Sequence, residues 1–489
     1  MANEIEIRMA KKSITQNYIY NLIYQILILV LPIITTPYIS RILGATNVGI
    51  YSYTYSIVSY FILFASLGVA LYGQREIAYA GKDTSKRNKL FWEIAIFRII
   101  SVLIVFCIYI IFCIKSQEYK IYYFIWGLEL LATALDIGWF FQGMEEFKKT
   151  VLRNVIVRIA SITLIFLLVK NESDLIKYIT IYSIADFVGN LSLWFYLPKY
   201  LKGIKIKRIE VLSHVIPIIL LFIPQIASQV YNMLDKTMIG RIIVDKAEVG
   251  YYEEAQKVIK VLITIVSSLG VVMVPRMASV FASGEKDKVK EYLKKSFKFA
   301  FLLAFPMVFG VIIIADAFVP VFFGAGFEKT IILIKILAPS VLLFGLASVI
   351  GYQYLLPTKR QKEYTLSILA GLIINFVLNY ILIKLMASEG ASISTLISEL
   401  IVLLIQIFLI RNEITILEIM KIGEKYFIYS LMMFVACWII KLILGTTLIA
   451  MAVQIIVGMG IYFICLLVTK DEFLERIQLI IKSKLKGEK

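Results

Sequence analysis

Apolar blocks long enough to cross a lipid bilayer recur throughout this chain of 489 residues. A bilayer core of about 30 Å is crossed by about 20 residues of α-helix, and about fourteen blocks reach that length. Hydrophobic residues make up 60% of the sequence, and the mean hydropathy is +0.84. The connections between blocks are too short to fold as a separate soluble domain. The sequence therefore predicts an all-α, polytopic integral membrane bundle.

The charged residues indicate how the predicted spans are oriented. We place the spans near residues 15–40, 49–73, 91–114, 121–143, 154–169, 176–198, 214–240, 249–275, 299–315, 330–356, 364–383, 391–410, 426–440 and 447–469. Most of the 51 Lys and Arg residues lie in the N-terminus, in alternate connections and in the C-terminus. Cytoplasmic segments carry such a basic excess, so we expect both termini to be cytoplasmic. Orientation and contact with anionic membrane lipids then explain the net charge of +17, without nucleic acid as a partner.

Short motifs recur at a nearly constant offset. Residues 48–51 (Val-Gly-Ile-Tyr) resemble residues 249–252 (Val-Gly-Tyr-Tyr), and the sequence Ser-Leu-Gly-Val occurs at both 66–69 and 268–271. An even number of predicted spans separates the copies, so both copies start on the same side of the membrane. This pattern predicts two parallel six-helix lobes related by an axis along the membrane normal.

The repeat also predicts the domain boundaries. We assign residues 1–205 to an N-terminal lobe and residues 206–415 to a C-terminal lobe. Residues 416–489 lie outside the repeat and are expected to form two extra helices and an amphipathic cytoplasmic tail. Two related lobes around a central cavity favour transport by alternating access.

Polar side chains form stripes within the apolar spans. An ionisable residue at the membrane centre costs about 2.5 kcal/mol or more, so it is a functional candidate. In the seventh span, Gln225, Gln229, Asn232 and Lys236 share one helix face. We expect this face to line a cavity; the alternative is hydrogen bonding between helices.

Other spans add candidates of the same kinds. Further amide and cationic candidates for substrate binding are Asn21, Gln25, Asn154, Arg158, Lys257, Lys260 and Asn375. Amides suit sugar hydroxyls, and Lys and Arg suit phosphate. The candidates for binding a counter-ion, H⁺ or Na⁺, are Asp136 and Asp235; the alternative is that Asp235 neutralises Lys236.

Three other acidic residues have local interpretations. Glu129 shares one face of the fourth span with Thr133 and Asp136. Glu93 and Arg98 in the third span are expected to pair locally. Glu253 and Lys257 are four residues apart on one helix face, so they are also expected to pair.

Residue types that most enzymes need are scarce here. His214 is the only histidine, and the four cysteines lie inside apolar runs without a paired motif. A zinc site of the two-histidine type is therefore excluded. The sequence contains no phosphate-binding loop motif of NTPases and no Gly-x-Ser-x-Gly. We expect a protein that is not an enzyme and that needs no metal or cofactor.

Three segments carry a family resemblance. They are residues 31–78 (including Arg-Ile-Leu-Gly at 41–44 and Tyr-Gly-Gln-Arg-Glu at 72–76), residues 234–240 (Leu-Asp-Lys-Thr-Met-Ile-Gly) and residues 139–143 (Trp-Phe-Phe-Gln-Gly). Together they resemble the Wzx-like polysaccharide-biosynthesis flippases of the multidrug/oligosaccharidyl-lipid/polysaccharide (MOP) exporter superfamily. The resemblance covers roughly residues 13–415 and places Asp235 and Lys236 in the family's motif of the seventh span.

The resemblance implies a two-lobed bundle in the bacterial cytoplasmic membrane. It also implies a function, moving an undecaprenyl-diphosphate-linked oligosaccharide to the outer leaflet for O-antigen, capsule or exopolysaccharide assembly. Our hypothesis is that Arg158, Lys236, Lys257 and Lys260 bind the diphosphate while amides hold sugars. Other polysaccharide assembly proteins are possible partners.

Three rival functions stay open. A lipid II flippase would carry a similarly anionic substrate. A multidrug antiporter of the MATE type would be expected to have an acidic cavity, whereas the buried charge of the fifth and eighth spans is basic. A membrane polymerase or ligase would be expected to have a large extracytoplasmic loop, and the predicted outer connections are short.

Overall fold

The computed structural model describes residues 2–81, 83–201 and 209–475, without the side chains of residues 2–29, 223–225 and 227–228. Within those residues the regular structure is helical, and no strand occurs. The chain divides into two compact units, an N-terminal unit (Met1–Gly250) and a C-terminal unit (Tyr251–Lys489). Each unit is described by itself below.

In the described part of the N-terminal unit there are eight α-helices, and several of them are joined by single turns of 3₁₀-helix. The helices are α1 (Ala2–Ser66), α2 (Val69–Ala80), α3 (Thr84–Lys115), α4 (Lys120–Leu135), α5 (Gly138–Gly143), α6 (Phe147–Leu168), α7 (Leu175–Trp194) and α8 (Val215–Ile242). The 3₁₀ turns are Glu172–Asp174, Leu197–Lys199 and Val211–His214. The short α5 contains the Trp-Phe-Phe-Gln-Gly motif noted in the sequence.

The remaining helices belong to the C-terminal unit, apart from the first four residues of α9. They are α9 (Ala247–Ser267), α10 (Gly270–Ala282), α11 (Lys286–Phe322), α12 (Lys329–Leu337), α13 (Ser340–Ile350), α14 (Gln361–Leu409), α15 (Ile416–Leu444) and α16 (Leu448–Val468). A short π-helix, Gly351–Leu355, extends α13.

The predicted spans lie in helices, but the spans 49–73, 121–143, 249–275 and 330–356 are each divided between two helices. The long helices α1 and α14 each hold most of two spans. The backbone of α1 breaks at Gly44 (φ 69°, ψ 170°), and that of α14 breaks at Ala387 (φ 49°, ψ −126°). In the described residues, 10 segments are long and apolar enough to cross a membrane. The sequence also predicts spans at α7 and α8, which are not among those 10 segments. The apolar segment Val211–Phe222, which includes the first residues of α8, is shorter than the 10. The prediction of a polytopic all-α membrane bundle is confirmed.

The side chains are distributed as expected for helices in lipid. Large apolar residues are exposed along the outer faces, for example Ile104, Ile108 and Ile111 of α3. Polar groups lie inside instead, such as Arg98 of α3, which is 3% exposed. Lipid cannot hydrogen-bond such groups, so each needs a partner within the protein. This arrangement makes the buried polar contacts the informative part of the structure.

Aromatic residues form a tight core at one end of the N-terminal unit. Phe91 of α3 stacks on Trp139 of α5 with ring centroids 5.6 Å apart, and it meets Phe140 edge to face at 4.9 Å. Gly73 of α2 lies directly against Trp139, since an added Cβ would come within 2.4 Å of the indole ring. The short helices α2 and α5 are thus in direct contact, without a side chain between the backbone of Gly73 and Trp139.

Candidate functional site

A polar cavity lies inside the N-terminal unit, among α4, α5, α6 and α7. Its volume is about 320 Å³, near the lower end of the range for small-molecule sites. Its polar lining consists of Glu129, Thr133, Asp136, Gln142, Thr150, Arg153, Asn154, Asp186 and Asn190. We call this space the N-terminal cavity.

Helical periodicity brings these side chains to one place. Glu129, Thr133 and Asp136 follow one face of α4, as the sequence predicted. Thr150, Arg153 and Asn154 follow one face of α6, and Asp186 and Asn190 are one turn apart on α7. Of the residues that the sequence proposed as binding or ion-coupling candidates, Asn154 and Asp136 line this cavity.

Asp136 has a well-defined structural partner, Arg98. Its Oδ2 accepts a hydrogen bond from Arg98 Nη2 at 3.1 Å, and its Oδ1 accepts one from the Gly138 amide at 2.9 Å. Arg98 Nε also donates to the carbonyl oxygen of Thr133 at 2.6 Å. These bonds satisfy backbone groups that are left unpaired where α4 ends and α5 begins.

Glu93 and Arg98 do not pair with each other, although Glu93 has the local partner Lys89, 3.6 Å away and one turn earlier on α3. Glu93 accepts a hydrogen bond from the Glu210 amide at 2.7 Å and pairs with His214 Nε2 at 3.1 Å. The hydroxyl of Tyr72 in turn contacts His214 Nδ1 at 2.6 Å. The side chains of Glu93, His214 and Tyr72 are all buried. The two charged residues of α3 are five positions apart, so they lie on different faces and meet different neighbours.

Asn190 connects three helices beside the N-terminal cavity. Its Oδ1 accepts a hydrogen bond from Arg153 Nη1 of α6 at 3.0 Å, and its Nδ2 donates to the Ala132 carbonyl of α4 at 2.9 Å. Trp194 adds a bond from Nε1 to the Leu135 carbonyl at 2.8 Å. The carbonyl groups in the last turn of α4 have no partner within their own helix, and α7 satisfies two of them.

A charged group lies beside the N-terminal cavity. Glu129 of α4 and Asp186 of α7 both line the cavity, and the guanidinium of Arg158 lies near Glu129. Arg158 also lies over the ring of Tyr182, 6.0 Å from its centroid. Arg158 therefore lies beside an acidic group and not in isolation.

Sequence reasoning missed Arg153, Asp186 and Asn190. Arg153 lies just before the fifth predicted span, so its charge was assigned to the adjoining connection. Asp186 and Asn190 lie within the sixth predicted span and were not recognised as sharing a face. Their four-residue spacing was the available signal.

The polar residues that share one face of the seventh predicted span differ in exposure. The side chain of Gln225 lies outside the described residues, while those of Gln229 and Asn232 are exposed and Lys236 is half-buried. Asp235 is 3% exposed, so it points to a different side of α8 from Gln229 and Asn232. The side chains of Asn21 and Gln25 are also outside the described residues.

The candidates in the C-terminal unit differ in their surroundings. Lys257 Nζ lies 3.0 Å from Glu254 and 3.7 Å from Glu253, so the predicted pairing with Glu253 is present but is the longer of the two contacts. Asn375 is fully buried and accepts a hydrogen bond from Asn379 Nδ2 at 3.0 Å. Lys260 is exposed.

The carboxyl group of Asp174 lies outside the membrane-spanning segments, just before α7, and its pKa is shifted. The pKa of Asp174 is lowered to about 2, first by its hydrogen bond with Lys177 and then by the amide of Lys170. This carboxylate therefore stays ionised and fixes the start of α7.

Comparison with known proteins decides the family. The family described as "Polysaccharide biosynthesis protein" matches residues 14–281. The chain belongs to this family. A second family, MatE, matches residues 217–381, and the resemblance to the MOP exporter superfamily is thereby confirmed.

Relatives and solved structures agree with this membership. A protein of Escherichia coli (strain K12) named "Putative O-antigen transporter" is 25% identical over 371 residues, which is 74% of this chain and 88% of the relative. A lipid II flippase, MurJ, in an inward closed conformation matches with a TM-score of 0.70 at 16% identity, covering 94% of this chain and 100% of that one. A MATE family multidrug transporter in its inward-facing conformation matches with a TM-score of 0.60 at 10% identity, over 81% and 95%. The two solved structures show the fold that this chain shares with them.

Proposed function

We propose that this protein translocates an undecaprenyl-diphosphate-linked oligosaccharide from the inner to the outer leaflet of the bacterial cytoplasmic membrane. One observation carries the proposal: a cavity with charged and amide walls lies inside helices whose outer faces are apolar. Polar space at membrane depth is costly unless a polar molecule or ion uses it. The cavity lining is acidic, with Glu129, Asp136 and Asp186 against Arg153, which by itself would fit the multidrug alternative. Membership in a polysaccharide biosynthesis family supports a sugar-bearing molecule instead.

The walls of the N-terminal cavity suit a sugar. Asn154, Asn190 and Thr150 offer amide and hydroxyl groups, and Glu129 and Asp186 offer carboxylate oxygens. Such groups bind the hydroxyls of a sugar through paired donors and acceptors. A volume of about 320 Å³ holds part of an oligosaccharide head group, while the lipid tail stays in the bilayer.

The cationic candidates for diphosphate binding have different surroundings. Lys257 is paired with Glu253 and Glu254, which offsets its charge. Lys260 is exposed, and we retain Lys236 and Lys260 as separate candidates for contact with the diphosphate. Arg158 lies near Glu129, so its role is to balance the charge beside the sugar site.

We retain two lobes, residues 1–205 and 206–415, and cytoplasmic termini as parts of the proposal, on the strength of the repeat and of the basic connections. Coupling to H⁺ or Na⁺ is also retained. Glu129 and Asp186 suit this role better than Asp136, whose two oxygens are already bonded to Arg98 and to the Gly138 amide.

Deleting the gene tests the function. The deletion strain should accumulate lipid-linked oligosaccharide on the cytoplasmic face and lose a surface polysaccharide, and mass spectrometry identifies the glycan. Accumulation of lipid II with arrested growth would support the peptidoglycan alternative instead. A change in drug susceptibility alone would support the multidrug alternative.

A matched pair of variants tests the cavity. Asn154→Ala removes an amide from the cavity wall, whereas Thr163→Ala removes an exposed hydroxyl from the same helix. We expect Asn154→Ala to lower export about tenfold, the effect of losing about 1.4 kcal/mol of binding. Thr163→Ala should export normally. Equal export by both variants, at equal protein levels, would remove the cavity from the proposal.

A further inference from the structure

Two glycines from the two copies of the repeat meet within the N-terminal unit. A Cβ added at Gly49 would lie 1.7 Å from the carbonyl oxygen of Lys246, and one added at Gly250 would lie 2.1 Å from that of Ala45. Neither distance leaves room for a side chain, so the two backbones are in direct contact. We call these four residues the glycine crossing.

The contact is reciprocal. Gly49 lies four residues after Ala45, and Gly250 lies four residues after Lys246. Each glycine therefore faces the equivalent carbonyl of the other copy. Gly49 and Gly250 also occupy the same place in the repeated Val-Gly motif. Equivalent residues of the two copies of the motif thus face one another at the glycine crossing.

The contacts next to the glycine crossing also rely on small groups. Gly240 of α8 lies against the ring of Tyr53, where an added Cβ would come within 2.1 Å of Cδ2. Further along α1, Thr237 Oγ1 donates to Ser56 Oγ at 2.9 Å. Between Ala45 and Ser56, α1 is thereby met by α8 and by the residues that follow it up to the first turn of α9.

The ammonium group of Lys246 contacts both copies. Nζ donates to the carbonyls of Gly240 and Ile243 at 2.8 and 2.9 Å, both at the end of its own preceding helix α8. Nζ also lies over the ring of Tyr53 in α1, 5.3 Å from the centroid. Burial lowers the pKa of Lys246. The charge thus completes the C-terminus of α8 beside the backbone contact of the glycine crossing.

Helices in lipid associate through close packing, because lipid tails compete equally well for apolar side chains. A flat contact between glycines allows that approach without interlocking large side chains. Such a surface separates without rotamer changes and re-forms in one register. It suits a contact that is broken and remade repeatedly.

We propose that the glycine crossing closes the extracytoplasmic end of the transport path and opens once in each transport cycle. This rests on the proposed function and on the orientation with cytoplasmic termini, which places the connections at 41–48 and 241–248 outside. Both connections adjoin the glycine crossing in sequence.

Cysteine labelling in intact cells tests whether a side chain at position 49 holds this end open. Ser56 is 3% exposed and touches Thr237, so Ser56→Cys reports separation of α1 from α8. We expect a membrane-impermeant maleimide to label Ser56→Cys slowly and to label Gly49→Ala/Ser56→Cys about tenfold faster. The matched control is Gly310→Ala/Ser56→Cys, because an added Cβ at Gly310 meets nothing within 4 Å.

The labelling result has two outcomes. Faster labelling only in the Gly49→Ala background supports the proposal. Equal labelling in the Gly49→Ala and Gly310→Ala backgrounds overturns it. The parent protein, with its four native cysteines, gives the background to subtract.

A disulfide provides a second test that leaves both glycines intact. Ser56→Cys/Thr237→Cys places two sulfur atoms where hydroxyls now lie 2.9 Å apart, close enough to bond on oxidation. Oxidation should stop export and reduction should restore it, whereas each single variant should be insensitive. Normal export with complete cross-linking would overturn the proposal even if Gly49→Ala fails to fold.

These readouts separate the inference from the proposed function. Labelling does not use the transported molecule. If Gly49→Ala speeds labelling while gene deletion leaves surface polysaccharide unchanged, the glycine crossing stands and the proposed substrate falls. If deletion removes the polysaccharide but Gly49→Ala leaves the labelling rate of Ser56→Cys unchanged, the proposed substrate stands and the role of the glycine crossing falls.

Discussion

Replacing Asp136 with asparagine distinguishes an ion-coupling carboxylate from a structural one. The sequence made Asp136 a counter-ion candidate, but the structure shows its oxygens bonded to Arg98 and to the Gly138 amide. The asparagine side chain would keep a carbonyl oxygen for the amide of Gly138. It would lose the charge that Arg98 now faces. We therefore expect Asp136→Asn to reduce stability, with export falling only as far as the amount of protein falls.

The size of the effect follows from burial. The side chain of Arg98 is 4% exposed and that of Asp136 is 31% exposed. A hydrogen bond to a charged group contributes about 1.5–3 kcal/mol, and water reaching Asp136 places this pair near the lower value. Asp136→Asn should therefore cost about 1.5–2 kcal/mol. Arg98→Met should cost about 3 kcal/mol, because it removes the bond from Nε to the Thr133 carbonyl as well as the partner of the Asp136 charge.

The assay is a double-mutant cycle on purified protein in detergent. Apparent unfolding free energies are compared for the parent, Asp136→Asn, Arg98→Met and the double variant. The double variant should be no less stable than Arg98→Met, which gives a coupling energy of about 1.5–2 kcal/mol. Export is measured in parallel and divided by protein level. Lost export with unchanged stability in Asp136→Asn would refute the structural role and restore Asp136 as an ion site.

Three further predictions concern single contacts. Glu93→Ala leaves the Glu210 amide and His214 without their acceptor, and should lower the unfolding free energy by about 2–3 kcal/mol; a loss below about 0.5 kcal/mol would contradict the network. Asp174→Asn should lower the melting temperature at neutral pH, where the carboxylate of Asp174 is ionised and bonded to Lys177. The difference in melting temperature should vanish as the pH falls from about 4 to about 2, because only the ionised carboxylate stabilises the fold. A difference that persists at about pH 2 would contradict this. Gly73→Ala should lower the free energy of unfolding by about 1–3 kcal/mol, because the added methyl group would displace the indole of Trp139. An unfolding free energy equal to that of the Gly310→Ala control would contradict this.

Much of the fold follows from the sequence because the membrane restricts the options. Backbone groups in lipid must be satisfied within the chain, so an apolar block of sufficient length becomes a helix. The helices thus lie where the apolar blocks predict them. The motif at 139–143 indicated the family but not that it forms a separate short helix against Gly73.

The candidate site was only partly predictable. A shared face of one helix follows from residue spacing, and this identified the α4 stripe of Glu129, Thr133 and Asp136. Whether a stripe faces a cavity, lipid or another polar group depends on which helix lies beside it. Asn190 bonds to Ala132 and Arg153, residues far from it in the chain, and no local pattern specifies those partners.

The sequence by itself determined that this is a polytopic helical membrane protein with a duplicated motif, because span length and repeated residues are local properties. Only the tertiary structure decided the partners. It paired Arg98 with Asp136 instead of Glu93, and it gathered polar faces of α4, α6 and α7 around one cavity. It also brought Gly49 and Gly250 into backbone contact. Side-chain partners depend on helix packing, which places residues together at distances that the order of the chain does not encode.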